Sequence, residues 1–185
     1  SLTLNYSLPF ASIPYLDFVQ SSYTYSGNFN WQTGSDILNN IIDSNGVVLG
    51  NISTIQNSNN QSIVASLNFD KFYRNFKFLN KKNNFFDILK SLKRVRVNYT
   101  ENSGKVIPGY LPSIGFFGTS KPSFGFIFGN QSNVRYELAK MGYLTNFSSF
   151  NEQFQQVFNS KFEMSAEIQL FKNLKIDLNA NRNYS

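Results

Sequence analysis

From Val19 to Gln32 the chain alternates large and small side chains almost without a break over 14 residues. Side chains on an extended strand point alternately to opposite faces. Val19, Tyr23, Tyr25, Phe29 and Trp31 therefore share one face, with Gly27 in the gap between them. Ser22, Thr24, Ser26, Asn28 and Asn30 share the other. The pattern predicts a strand with an aromatic side and a side of small hydroxyls and amides.

The same period recurs along the chain and predicts strands near 2–9, 16–32, 46–69, 94–101, 161–170 and 174–184. "LPFASIPY" (8–15) and "LFKNLK" (170–175) read as tight reversals between alternating runs. Between 70 and 92, Phe72, Phe76 and Leu79 recur at helical spacing, as do Phe85, Ile88, Leu89 and Leu92, which predicts one or two short amphipathic helices. Residues 102–160 read as a long loop region punctuated by Gly and Pro. Within it, "FGFIFG" (124–129) reads as a short strand or an aromatic loop, with Phe124, Phe126 and Phe128 on one face. The reversals give an all-β, antiparallel up-and-down meander. Compact connections fall at one end (9–15, 70–92, 171–174) and long ones at the other (33–46, 102–160).

An aromatic face of this size needs a cover. Four aromatic side chains at ~150–250 Å² each offer about 600–1,000 Å², more than the ~300–600 Å² of a monomer's largest apolar patch. A second sheet, as in a soluble β-sandwich, is one cover. Lipid is the other, and strand length favours it. Ordinary strands run about 5–6 residues. Fourteen residues at ~3.3 Å each reach about 46 Å, or roughly 33 Å along a membrane normal at about 45° of tilt. The sequence thus predicts part of a transmembrane β-barrel wall. Val19, Tyr23, Tyr25, Phe29 and Trp31 would face lipid, and Ser22, Thr24, Ser26, Asn28 and Asn30 would face a water-filled lumen. The compact ends, with the basic segment 70–92, would be periplasmic and the long loops extracellular.

Composition narrows the chemistry. There is no Cys and no His, which removes disulfides, thiol nucleophiles, His-based triads and most zinc or copper sites. The 11 carboxylates are scattered. Glu163 and Glu167 share a strand face about 13 Å apart, beyond the ~5–9.5 Å of paired glycosidase carboxylates. The reading is a non-enzyme without a cofactor or a metal. Seven N-x-S/T triplets (Asn5, Asn51, Asn60, Asn98, Asn130, Asn146, Asn183) follow from an Asn/Ser-rich strand face, where i and i+2 coincide. The stretch from Lys71 to Arg96 holds nine of the 17 basic residues, interleaved with aromatics. Its helical spacing favours interfacial packing over nucleic acid, so no nucleic-acid partner is expected. "GKVIPGY" (104–110) lacks the Lys-Ser/Thr of a phosphate loop.

The segments "LPFASIPYLDFV", "YSGNFNWQTGSD", "LGNISTIQNSNN", "LNFDKFYRNFKFLNK", "VIPGYLPS", "FGFIFGNQ" and "LKIDLNANRNYS" stand in this order. In that order they resemble the SprA (Sov) family, the giant outer-membrane translocons of the type IX secretion system of Bacteroidetes. The likeness is collinear over essentially the whole chain and loosest from 130 to 156. It implies that residues 1–185 are an excerpt of a very large transmembrane β-barrel wall, part of a single-chain export pore in the cell outer membrane of a Gram-negative, Bacteroidetes-like cell. Such a pore passes folded cargo proteins and supports gliding motility. The partners it implies are membrane lipids, secreted cargo, a PorV-type barrel and a periplasmic plug protein. The competing reading is a cell-surface or extracellular β-rich binding module without transport activity.

Overall fold

The structure is a computed structural model, and it describes residues 1–34, 42, 46, 48, 50, 52–75, 90–114, 122–171 and 173–185. Six strands form one sheet in chain order: β1 (Leu2–Leu8), β2 (Val19–Thr33), β3 (Ser53–Asn68), β4 (Leu92–Tyr110), β5 (Gln155–Phe171) and β6 (Leu174–Tyr184). The sheet is an antiparallel meander and does not close on itself. A 3₁₀ turn, Pro9–Ser12, makes the first reversal. Helix α1 (Phe69–Asn75) follows β3 directly, inside the region of helical spacing. Asn68 Oδ1 accepts the Lys71 backbone N–H at 3.2 Å, occupying one of the donors that a helix start leaves open. The rest of that connection, with Phe76, Lys77, Leu79, Lys81, Lys82, Phe85, Ile88 and Leu89, lies outside the described residues, as does most of 33–46. The β5–β6 hairpin is tight, closing on the pair Phe171↔Leu174 with a register shift between Gln169 and Phe171.

Three boundaries differ from expectation. β3 starts at Ser53 rather than near 46. β4 runs on through 102–110, and β5 begins at Gln155 rather than 161, so strand occupies both ends of the predicted long loop. Lys105, Ile107, Pro108, Gly109 and Tyr110 are all buried. A strand covered on both sides shows no polar/apolar alternation, and so the pattern stops before the strand does. Between these ends lie α2 (Phe124–Ile127), α3 (Val134–Lys140) and α4 (Ser148–Asn151). "FGFIFG" is thus a helical turn, capped by Ser123 Oγ accepting the Phe126 N–H at 3.2 Å. Its three phenylalanines do not share a face: Phe126 is buried, while Phe124 and Phe128 are exposed and stack with ring centroids 6.4 Å apart.

The chain forms two compact units. The first comprises Ser1–Thr3, Ser26–Asn60 and Asn102–Phe158. Its core is Ile55, Ile107, Tyr110, Phe126, Val134 and Leu138, with Phe29, Trp31, Ile114, Tyr143, Leu144 and Phe154 packed against it. The second comprises Leu4–Tyr25, Gln61–Glu101 and Asn159–Ser185. Both units draw on β1, β2, β3, β4 and β5.

Candidate functional site

In the second unit one face of the strands is polar and hollow. A cavity of about 890 Å³ opens there, lined from every strand of the meander, including Ser7, Ser22, Ser66, Arg94, Arg96, Glu167, Asp177 and Asn179. Hydroxyls and amides run across this face. Thr24 Oγ1 donates to Asn5 Oδ1 at 3.0 Å, Ser62 Oγ donates to Asn98 Oδ1 at 3.4 Å, and Asn98 Nδ2 donates to Glu163 Oε2 at 3.0 Å. Lys161 pairs here with Glu163 at 2.7 Å, and Lys175 with Glu167 and Asp177 at 3.4 and 3.6 Å, while Arg94 and Arg96 are exposed along the same hollow. Pairs of this kind, screened by solvent, add little to stability. They set the character of the surface more than its stability.

The opposite face of the same strands is apolar. Each polar residue just named has a chain neighbour that points the other way at the same level. Next to Asn5, Thr24, Asn98 and Glu163 stand Tyr6, Tyr23, Tyr99 and Phe162. Phe162 in turn pairs with Arg182 across the hairpin. A row of aromatic rings from β1, β2, β4 and β5, interrupted on β3 by Gln61 and ending in one guanidinium, therefore crosses this face. Toward the α1 end the side chains become aliphatic: Ile63, Ala65 and Leu67; Val95 and Val97; Met164, Ala166, Ile168 and Leu170; Ile176, Leu178 and Ala180. Ile63, Met164, Leu170 and Leu178 are between 39 and 52% exposed. Beyond them a second aromatic group gathers around α1. The Phe18 and Phe72 rings are 5.0 Å apart, Phe69 and Phe72 5.9 Å, and Phe72 and Tyr73 5.7 Å. This group is edged by ions: Lys93 Nζ meets Asp70 Oδ1 at 3.0 Å, and Arg74 closes the last turn of α1.

The first unit treats the same strand faces differently. Here the chain covers itself. Phe29 and Trp31, expected to face lipid, pack against a cluster that contains Phe126, and the Phe29 and Phe126 rings meet edge-on at 6.0 Å. Gly27 explains how the covering segment comes so close, because a Cβ there would lie 2.1 Å from the Phe128 carbonyl oxygen. Only glycine leaves room for a backbone at that distance. Polar side chains on the same face then hold the segment down. Asn57 Nδ2 donates to the carbonyls of Phe126 and Asn130, both at 3.0 Å, while Asn57 Oδ1 accepts from Gln131 Nε2 at 3.1 Å. Asn59 Nδ2 donates to Gly129 O at 2.7 Å. Lys105 Nζ donates to Gln131 O and Ser132 O, both at 2.7 Å, and burial holds its pKa below the usual lysine range. Burial also pushes Tyr110 up to about 12, with the nearby Tyr143 adding to the shift.

Asn57→Ala is expected to loosen this segment. It removes the bonds to the Phe126 and Asn130 carbonyls and the acceptor of Gln131 Nε2. Phe126 O keeps the Gly129 N–H and Gln131 Nε2 keeps Gly129 O, so the cost is about 0.5–1.5 kcal/mol for each lost bond. Denaturant unfolding monitored by fluorescence measures the loss, and faster proteolytic cutting within 122–154 locates it.

Of the residues singled out in the sequence, Ser22 lines the polar hollow, Thr24 bonds across it, and Tyr23 lies on the other face, its hydroxyl donating to Gln61 Oε1 at 3.1 Å. Val19 borders the hollow beside Leu8 and Ala11, where β2 leaves the turn. Tyr25 and Ser26 are half-buried. Asn28 and Asn30 line a smaller cavity of about 360 Å³ in the first unit, with Gln56, Ser58 and Gln155. Asn57, Asn59 and Lys105 escaped notice because amides and a lysine on a strand read as solvent-facing. The gap at Gly27 in an aromatic row was the one signal of a close approach.

No protein-family model matches the chain, and no curated protein matches it. Among the described residues no group of His, Cys, Asp or Glu is placed to hold a metal ion, and no helix is long and apolar enough to cross a membrane. The latter says nothing about crossing by strands.

Proposed function

We propose that the second unit is a stretch of outer-membrane β-barrel wall, with its apolar face toward lipid and its polar hollow toward the lumen. The observation that carries this reading is the banding of the apolar face. An aliphatic zone lies between two aromatic groups, and a hydroxyl- and amide-rich surface lies behind it. Outer-membrane barrels have an apolar band about 25 Å tall between aromatic girdles, around a polar interior. From Phe162 to Phe171, β5 runs ten residues. At ~3.3 Å each and about 45° of tilt, those residues rise about 23 Å. A tyrosine at such a boundary keeps its ring in the apolar layer and its hydroxyl in the wet one.

The open edges support the same reading. β1 and β6 end the sheet with unpaired backbone groups along one side of each. A long free edge is a template for further pairing, and in a barrel wall the adjoining strands supply it. The strands of a β-sandwich would place a second sheet on the aromatic face. The described residues form a single sheet, and in the first unit the cover is helical.

The pore role rests on the resemblance to the SprA (Sov) translocons, and a hollow face rich in serine and asparagine suits the passage of hydrated cargo. A photo-reactive amino acid at Thr24 in the whole protein is expected to capture secreted protein in transit, while one at Leu178 captures none. A protein correctly assembled in the outer membrane that yields no cargo adduct at Thr24 would favour the surface-binding alternative.

A further inference from the structure

At one end of the apolar face lies a groove of about 610 Å³, walled by Tyr99, Phe162, Ala180, Arg182 and Tyr184, with Ser160 and Asn181 also lining it. Its walls are mainly rings and aliphatic carbon, and it has one full charge. Arg182 is placed there by the strand period, because it follows Leu178 and Ala180 on the same side of β6 and pairs with Phe162. Every other even-numbered residue of β6 from Leu174 to Tyr184 is apolar or aromatic. The guanidinium is exposed and makes no ion pair with a carboxylate among the described residues. The nearest carboxylate-bearing residue on that face of β4, Glu101, accepts the Tyr99 hydroxyl at 3.0 Å.

An arginine at this position is costly as a bare lipid-facing residue, and tolerable at the edge of the apolar band. We infer that the groove binds one phosphorylated glycolipid of the outer leaflet. Arg182 would hold the headgroup phosphate, and Tyr99, Phe162 and Tyr184 would flank the first carbons of its acyl chains. This rests on the barrel-wall reading and adds a specific ligand to it. The guanidinium selects a phosphate, and the walls select a lipid over a free anion. A planar guanidinium offers two parallel donors to phosphate oxygens, and the apolar walls give nothing to inorganic phosphate but suit an acyl chain. Charge complementarity selects an anionic headgroup over a zwitterionic one, since a single uncompensated cation stands in the groove.

The test uses the whole protein reconstituted in phosphatidylcholine nanodiscs doped with lipid A, with the photo-reactive benzoylphenylalanine replacing Tyr184. Lipid A carrying its phosphates is expected to cross-link about tenfold more than its dephosphorylated form, the loss of about one charge-assisted contact. Arg182→Gln should remove the difference and Arg182→Lys should retain part of it, while excess inorganic phosphate should compete poorly. Equal cross-linking of both lipids, unchanged in Arg182→Gln, would overturn the phosphate site and leave the barrel wall standing. Full competition by inorganic phosphate would overturn the lipid as ligand. Cross-linking to protein alone would show the face buried against another chain, and would remove the barrel-wall reading together with the site.

Discussion

Gly27→Ala is expected to unseat the covering segment of the first unit while leaving the strand pattern of the second intact. The added methyl would meet the Phe128 carbonyl oxygen at 2.1 Å and its carbon at 2.7 Å. Both atoms belong to backbone, so no rotamer change relieves the clash. The segment must shift bodily, and the bonds from Asn57 and Asn59 to the carbonyls of Phe126, Asn130 and Gly129 depend on its present position. Overpacking alone costs about 1–3 kcal/mol, and each stranded buried polar group adds about 1–3 kcal/mol. Limited proteolysis should show new cuts within 122–154, and Trp31 fluorescence should shift to the red as its cover lifts. Wild-type proteolysis and emission in Gly27→Ala would show that the close approach is not part of the folded protein.

Leu178→Arg should be the most damaging single charge in the second unit. Leu178 is 52% exposed, pairs with Ala166 and lies in the middle of the aliphatic zone. An arginine near the bilayer midplane of a barrel costs about 2–4 kcal/mol. Its chain neighbour Asp177 lines the polar hollow, and Asp177→Arg should change stability far less. Reversible unfolding of the reconstituted protein in urea measures the difference between the two. Equal, small costs would mean that the aliphatic zone is wet.

The contrast between the units explains what was legible in the sequence. In the second unit one face is polar and the other is apolar, so the period of two is written plainly in Ile63–Leu67, Val95–Tyr99, Phe162–Leu170 and Leu174–Ala180. All six strands and their order follow from it. In the first unit the covered face mixes Ile55 and Ile107 with Asn57, Asn59 and Lys105, all buried. Their polar atoms are matched mainly by carbonyls of the covering segment. A single sequence does not distinguish an amide that bonds to a distant backbone from one that faces solvent. The ends of β4 and β5 and the docking of Phe29 and Trp31 stayed hidden for that reason. The helical turn at Phe124–Ile127 was masked too, since alternating Phe and Gly imitates a strand.

Alternate-position cysteine labelling in the whole protein tests the central claim most directly, using a water-soluble maleimide on isolated outer membranes. Thr24 and Ser66 lie on the hollow polar face, and Tyr23 and Leu67 lie on the other. The account predicts strong labelling at positions 24 and 66 and almost none at 23 and 67 until detergent is added. Labelling at 23 and 67 with none at 24 and 66, or equal labelling of both faces, would contradict it.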